Sequence, residues 1–197
     1  MKIKLFGTNI YISFLFAATV SFMLATDRTG LMLPTLFAVL IHEAGHLFCM
    51  WAADCAPKEI RLVPASVQIV EGFPRSERRK IAVIISGPLA NVAVAGSLYI
   101  NYYLGGSQVS LKFALLNAVL AAFNLMPVYG LDGGRLLCAL LCRRKDLYAA
   151  LQTVRIITGA VSAAVFIFGV ILFARGKLNI SVFITAVYLT LCAVIKT

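Results

Sequence analysis

Charged residues are scarce in this chain of 197 residues, and acidic residues are the scarcest, with eight Asp and Glu against 18 Lys and Arg. Soluble domains of ordinary composition carry about 25% charged residues. This chain has 13% charged and 61% hydrophobic residues, with a mean hydropathy of +0.92. Too few polar groups are present to cover a water-exposed surface. The composition therefore excludes an ordinary soluble protein and predicts one embedded in a membrane.

Cysteines number only five, and their count is odd. Scattered cysteines of odd number, in apolar or cytoplasmic stretches, do not indicate a disulfide framework. Cys138 and Cys142 share one face of a predicted helix and could be considered as metal ligands. Small buried apolar side chains are the more ordinary interpretation. The sequence therefore gives no reason to expect a disulfide-stabilised extracellular fold.

Long apolar runs occupy most of the chain, and a membrane-spanning helix needs about 20 such residues. The runs are Phe6–Ala25, Leu31–Ala53, Ile81–Leu104, Leu111–Met126, Gly130–Leu141, Ile156–Ala174 and Leu178–Ile195. We expect an all-α membrane protein of about six transmembrane helices, one of them broken at Pro127–Gly134. Gly130–Leu141 would then be a partial or re-entrant segment. No internal repeat or linker is visible, so we expect one domain, 1–197, without a PDZ or CBS domain.

Residues 56–75 form the one stretch whose pattern is not helical. Two short β-branched runs lie here, 58–63 and 66–70, and prolines and glycines punctuate them. The pattern predicts a small β-hairpin or edge segment around 58–70. Such an edge could pair with an extended substrate by strand addition, or the hairpin could simply connect two helices at the membrane surface.

Basic residues orient the helices. If the N-terminus is cytoplasmic, fourteen Lys and Arg fall on the cytoplasmic side, and four fall on the other side, namely Arg28, Lys112, Arg175 and Lys177. This asymmetry predicts cytoplasmic termini. It also accounts for the net charge of +10 without nucleic acid, because basic residues in short loops contact anionic lipid headgroups. We therefore expect the lipid bilayer as a partner and no nucleic acid.

The sequence His42-Glu43-Ala44-Gly45-His46 lies inside the apolar run Leu31–Ala53. Side chains four positions apart share one face of a helix, about 6 Å apart along its axis. His42 and His46 can therefore bind one metal ion, and Glu43 can reach a water on that metal. Placing such a polar or charged side chain within the bilayer costs roughly 2.5–3.5 kcal/mol of free energy or more, unless the side chain has a partner. The pattern indicates a functional metal site rather than two helix-packing histidines.

A catalytic zinc needs a third protein ligand and one open position. No other histidine exists, and six of the acids lie in predicted loops or at helix ends, where solvated acids are expected. Asp132 differs because it lies between apolar helices, where Pro127 and the glycines can break a helix and turn a side chain inward. Broken backbone at membrane depth is tolerated where it lines a cavity or is buried in protein. Asp132 is therefore the predicted third ligand.

Together, these segments resemble the site-2 protease family of intramembrane zinc metalloproteases. HEAGH on a membrane helix is followed by Asn124, Pro127, Asp132 and Gly133 in the order Asn-x-x-Pro-x-x-x-x-Asp-Gly. Between them, residues 86–91 resemble the Gly-Pro-x-x-Asn element of the family. The compact layout is most similar to the group that contains the sporulation protease processing a pro-sigma factor. Residues 128–130 depart from the proline-rich spacing common before Leu-Asp-Gly.

The resemblance implies one zinc ion held by His42, His46 and Asp132, with Glu43 as the general base. It implies cleavage of transmembrane or membrane-tethered proteins within the bilayer of a bacterial cell membrane, with a regulatory membrane protein as a further partner.

Two asparagines receive roles from the same resemblance. Asn124 would bind the substrate backbone or steady the oxyanion, and Asn91 would line the site or bond a neighbouring helix. Arg135 is expected to be a cytoplasmic charge.

Two other functions fit parts of the pattern less well. A membrane protease with a soluble catalytic domain would take a glutamate from a later helix, and Glu59, Glu71 and Glu77 are poor candidates for that ligand. The non-enzyme alternative is a metal-binding membrane scaffold or transporter. A transporter would be expected to repeat polar residues along a path through several helices, whereas the polar residues here converge at one depth.

Overall fold

The computed structural model describes residues 2–5, 8–57, 59–63, 66–70, 76–176, 184–187 and 189–190. These residues include six helices of ten or more residues, which are in chain order α1 (Phe14–Thr26), α2 (Met32–Ala52), α3 (Glu77–Tyr103), α4 (Gln108–Asn124), α5 (Asp132–Leu141) and α6 (Leu147–Ala174). Further helical residues occur at 184–187 and 189–190. The protein is mainly helical, as the sequence predicts.

A small sheet accompanies the helices, built from β1 (Lys2–Leu5), β2 (Thr8–Ile12), β3 (Glu59–Val63) and β4 (Ser66–Val70). The strand order is β1-β2-β3-β4, with β1 antiparallel to β2 and β3 antiparallel to β4. β2 and β3 are parallel, with Asn9 opposite Glu59 and Ile12 opposite Leu62. Parallel neighbours need a crossover connection, and α1 and α2 supply it.

The N-terminal segment corrects the sequence prediction in two ways. The sequence predicts strands only within residues 58–70. The structure has two further strands, β1 and β2, before the first helix, so the all-α prediction is wrong for the N-terminal segment. The first helix was expected over Phe6–Ala25, but α1 begins at Phe14 and has 13 residues, about 20 Å of helix. Thr8, Ile10, Tyr11 and Ile12 are residue types that favour strands. The isoleucines among them also fit the apolar pattern of a membrane helix, and pairing with β1 and β3 makes the segment a strand.

Three described helices are long and apolar enough to cross a membrane: α2, α3 and α6, with 21, 27 and 28 residues. Helices α1 and α4 are apolar but shorter. The predicted span Leu178–Ile195 lies mostly outside the described residues. The apolar helices make this an integral membrane protein.

The chain forms two compact units, Met1–Ala121 and Ala122–Thr197. The second unit contains the predicted helix break, which covers residues 125–131 between α4 and α5. The break begins two residues before the predicted Pro127–Gly134 and ends three residues before its end, because α4 ends at Asn124 and α5 already begins at Asp132. Its buried residues form a small core with residues from the rest of the unit: Val128, Leu131 and Leu189, with Phe123, Met126, Val161 and Val165 packed against them.

Hydrogen bonds satisfy part of the backbone in this break. The Tyr129 N–H donates to Thr158 Oγ1 at 2.8 Å, and the Leu131 N–H donates to the Val128 carbonyl at 3.1 Å. Non-helical backbone within a membrane protein needs such internal partners. Gly133 and Gly134 are required here, because a Cβ on either would collide with backbone carbonyl oxygens of Leu125 or Val128.

Candidate metal centre

Helix α2 carries the two histidines on its buried face. Its buried residues are Ala38, His42, His46 and Met50, each four positions from the next. Residues at this spacing form one stripe along a helix. The opposite face exposes large apolar side chains, among them Phe48 and Trp51. The amphipathic pattern of α2 therefore turns both imidazoles away from lipid.

Small residues let α3 lie close against this stripe. A Cβ on Gly45 would lie 2.6 Å from the Ser86 carbonyl oxygen and 2.8 Å from the Ala90 Cβ. A Cβ on Gly87 would overlap the His46 ring. Backbones can approach this closely in membrane helices only through such small residues. The Gly-Pro-x-x-Asn element predicted from the sequence is thus the surface of α3 that faces the histidines.

Each histidine is oriented through its Nδ1 atom by a group on α3. His46 Nδ1 lies 2.7 Å from the Val83 carbonyl oxygen, and His42 Nδ1 lies 2.8 Å from Asn91 Oδ1. A carbonyl oxygen only accepts, so Nδ1 carries the proton and Nε2 of the neutral ring keeps a lone pair. Metal-binding histidines are commonly held this way, by an acceptor on the other ring nitrogen.

The two Nε2 atoms lie 3.2 Å apart. With both protons on Nδ1 this is not a hydrogen bond, because two lone pairs face each other. The separation instead fits two ligands of one tetrahedral ion, which bonds of about 2.0 Å would place roughly 3.3 Å apart. Among the described residues, ligand atoms of His42, His46 and Asp132 lie within 4.8 Å of one another, and all three residues are buried. Two imidazoles and a carboxylate suit zinc.

Asp132 is the first residue of α5, and its side chain is buried. An acidic side chain in the first turn of a helix is stabilised by the helix dipole. Arg135, one turn later and half-exposed, places Nη1 3.8 Å from Asp132 Oδ1. The sequence prediction treated Arg135 as a cytoplasmic charge only, and it missed this ion pair.

Glu43 and Asn124 are the other two residues to which the sequence assigns a catalytic or substrate-binding role. Glu43 follows His42 on α2 and is partly buried. Asn124 is the last residue of α4, partly buried, immediately before the break.

The sequence predicts that Asn91 either lines the site or bonds a neighbouring helix, and the structure shows bonds to neighbouring helices. Its side chain has no exposed surface, and its amide bonds His42, the Ala38 carbonyl and Asn117. The sequence prediction missed Asn117 altogether. A lone amide inside the apolar run Leu111–Met126 was the available signal, because such a group needs a partner in a membrane.

Comparison with known proteins agrees with this geometry. The model of peptidase family M50 matches residues 104–168, which include Asn124 and Asp132 but not the HEAGH segment. A zinc metalloprotease of Methanocaldococcus jannaschii is 26% identical over 166 residues, covering 79% of this chain and 48% of that protein. Stage IV sporulation protein FB of Bacillus subtilis is 30% identical over 129 residues, covering 61% and 43%. The chain thus spans about half the length of the curated relatives it matches.

A solved structure shares the fold. The site-2 protease from Methanocaldococcus jannaschii superposes with a TM-score of 0.72 at 21% identity, over 98% of this chain and 93% of that one. The family match includes the segment that carries Asp132, and the two histidines complete a ligand set that fits zinc. The chain therefore contains a segment that matches peptidase family M50, and it shares the fold of a site-2 protease.

Proposed function

We propose that this protein is a zinc-dependent intramembrane endopeptidase. It would hydrolyse peptide bonds of membrane-embedded or membrane-tethered substrate proteins. The observation that carries the proposal is the group of His42, His46 and Asp132, whose ligand atoms lie within 4.8 Å of one another. Such a group in an apolar chain is costly to bury unless it binds an ion.

The site residues would have separate roles in peptide hydrolysis. His42, His46 and Asp132 would hold the ion. When bound, zinc supplies a Lewis acid that polarises a carbonyl group and makes water more acidic. Glu43 would accept a proton from the attacking water as the substrate C–N bond is hydrolysed, and would then deliver it to the leaving amine nitrogen. A single carboxylate can serve both steps because it is restored at the end of the cycle.

Asn124 would hold the substrate in an extended form. Peptide bonds within a helix are already hydrogen-bonded and sterically closed to attack, so a substrate helix must unwind locally. An amide at the end of α4 offers both a donor and an acceptor to the freed backbone, or a donor to the oxyanion that forms during hydrolysis. Asn91 is buried and contacts His42, so we propose that it acts through His42 and not by contacting the substrate.

The proposed topology has six membrane spans with both termini cytoplasmic, in a bacterial cell membrane. Its support is the fourteen-to-four distribution of Lys and Arg, together with α2, α3 and α6 as spanning helices. The active site would lie in the cytoplasmic half of the bilayer. Partners would be the lipid bilayer, the protein substrate and a regulatory membrane protein.

A metal-binding scaffold or transporter has less support. A transporter is expected to carry polar groups along a path through several helices. In α2, α3 and α4, the buried side chains His42, Asn91 and Asn117 instead form one connected group, which ends at Nδ1 of the His42 ring.

The proposal is tested with the purified protein and a single-span substrate protein in the same liposomes. We expect cleavage by the zinc-loaded protein, none after a chelator has removed the metal, and recovery when zinc is returned. Cleavage that persists in protein shown to be free of metal would refute the proposal.

A further inference from the structure

The amide of Asn91 is buried between three helices of the first unit. It contacts His42 and Ala38 on α2, and Asn117 on α4. Asn91 is 0% exposed and Asn117 is 1% exposed, so neither can contact a substrate without a rearrangement. Each loss of a hydrogen-bond partner from these two buried amides would cost free energy, because the apolar surroundings offer no replacement.

The direction of this hydrogen-bond chain is fixed at its far end. Asn117 Nδ2 donates to the Phe113 carbonyl oxygen at 2.9 Å. A carbonyl cannot donate, so Asn117 must present its nitrogen to Phe113 and its oxygen to Asn91. The Asn117 oxygen then receives a hydrogen bond from Asn91 Nδ2 at 2.8 Å.

The same argument continues to the histidine. Asn91 Nδ2 also donates to the Ala38 carbonyl oxygen at 2.9 Å, so both of its protons are used and a flipped amide would face two acceptors. Asn91 therefore turns Oδ1 toward His42 Nδ1, 2.8 Å away. Since Oδ1 can only accept, Nδ1 must be the protonated nitrogen. Nε2 of the neutral ring is left with its lone pair, 3.2 Å from the Nε2 of His46.

We infer that Asn91 and Asn117 are positioning residues that lock His42 in its Nδ1-protonated form and so set the zinc affinity of the site. The inference rests on the proposed metal centre but not on proteolytic activity. The other tautomer would place a proton on Nε2 and block metal binding. Removing groups that orient a metal ligand in this way typically lowers metal affinity about 10- to 100-fold.

The main test compares two substitutions at one position. Asn91→Leu removes the acceptor. Asn91→Asp keeps one oxygen facing Nδ1, and its second oxygen, when protonated, can donate one hydrogen bond to the Ala38 carbonyl or to Asn117, where the amide donates two. Zinc affinity is measured by competition with a fluorescent chelator, and thermal stability by melting in detergent. We expect Asn91→Leu to bind zinc about 10- to 100-fold more weakly, with Asn91→Asp close to the parent. Across these variants, zinc affinity should depend on whether residue 91 has an acceptor facing His42 and should not correlate with the melting temperature.

Asn117→Leu supplies a second, milder variant. Asn91 Nδ2 still has the Ala38 carbonyl as a partner, so Asn91 keeps part of its orientation and the loss of affinity should be smaller than for Asn91→Leu. Asn101→Leu is the matched control on the same helix, because Asn101 is exposed and bonds Ser110. It should leave zinc affinity unchanged.

A spectroscopic measurement reports the tautomer directly. The chain has two histidines, so ¹⁵N-histidine labelling gives two ring spectra, which a His46→Gln variant assigns. In the metal-free Asn91→Leu protein, His42 should lose its uniform Nδ1–H signal. His46, held by the Val83 carbonyl, should keep its own.

The inference is overturned if Asn91→Leu and Asn117→Leu bind zinc as tightly as the parent, or if Asn91→Asp loses as much affinity as Asn91→Leu. It is also overturned if His42 keeps the same tautomer without the Asn91 amide. A protein that binds zinc with the expected order of affinities but cleaves no substrate would support this inference while refuting the proposed protease function.

Discussion

His46 Nδ1 lies 2.7 Å from the Val83 carbonyl oxygen, so the backbone of α3 orients the second histidine, whereas the side chain of Asn91 orients the first. A backbone carbonyl is present whatever residue occupies position 83. Substituting Val83 would therefore leave this bond in place, and the position of His46 depends instead on how closely α3 approaches α2. Gly45 and Gly87 permit that approach.

Gly87→Ala should displace His46, because the added Cβ would overlap its imidazole ring. Overpacking of this kind typically costs about 1–3 kcal/mol. We expect a lower melting temperature and weaker zinc binding. Gly96→Ala is the matched control on the same helix, since nothing lies within 4 Å of a Cβ there. Alanine at that position should be neutral or stabilising by about 0.5–1 kcal/mol. Equal behaviour of the two variants would contradict the close packing described.

Substitution of any proposed ligand should remove the metal as well as the activity. His42→Ala, His46→Ala and Asp132→Asn should each purify with far less than one zinc per chain. Arg135→Gln is the comparison, because its half-exposed ion pair with Asp132 at 3.8 Å is worth about 0–1 kcal/mol. Arg135→Gln should keep its zinc. The measurement is the zinc content of each purified variant. Full zinc occupancy in Asp132→Asn would exclude Asp132 as a ligand.

The turn between α1 and α2 should make stability depend on pH. A hydrogen bond from the Thr29 side chain, followed by bonds from the backbone N–H groups of Met32 and Thr29, holds the pKa of Asp27 below its ordinary value of 3.8. A lowered pKa in the folded state adds stability above the ordinary pKa, and this stability is lost as pH falls through the folded-state pKa. Asp27→Asn should therefore melt at a lower temperature than the parent at neutral pH, with the difference narrowing below about pH 4. A difference independent of pH would contradict this account of the turn.

The proposed topology predicts the sides on which four loops lie. Reporter fusions after Thr26, Lys80, Gly106 and Arg144 should report outside, inside, outside and inside, because the positive-inside distribution favours a cytoplasmic N-terminus. Fusion points within apolar segments serve as background controls. Any other order would mean that the number of spans before that point is wrong.

The grouping of His42, His46 and Asp132 could be predicted from the sequence because it depends on local geometry or on a choice among few candidates. His42 and His46 need only helical periodicity, and Asp132 was one of eight acids and the one placed between apolar helices. The interruption near Pro127 was predictable for a similar reason, since proline and glycine act on the backbone where they stand.

The N-terminal strands and the amide chain could not be predicted in the same way. Residues 8–12 are apolar enough for a membrane helix, and only pairing with β1 and β3 makes them a strand. Asn91 and Asn117 are 26 residues apart, and their bond depends on how three helices pack. Hydropathy cannot report such a contact, although an isolated polar residue in an apolar run indicates that a partner exists.

The most direct test of the proposed function is Glu43→Gln, with cleavage of a co-reconstituted membrane substrate and zinc content measured on the same preparation. Glutamine keeps the size of the side chain but cannot accept a proton from water. General base catalysis contributes about 10²–10⁴-fold, and loss of proton delivery to the leaving amine should add to the defect. We predict a protein that retains one zinc and substrate binding while cleavage falls by at least that factor. Near-normal cleavage by the zinc-loaded Glu43→Gln protein would contradict the mechanism.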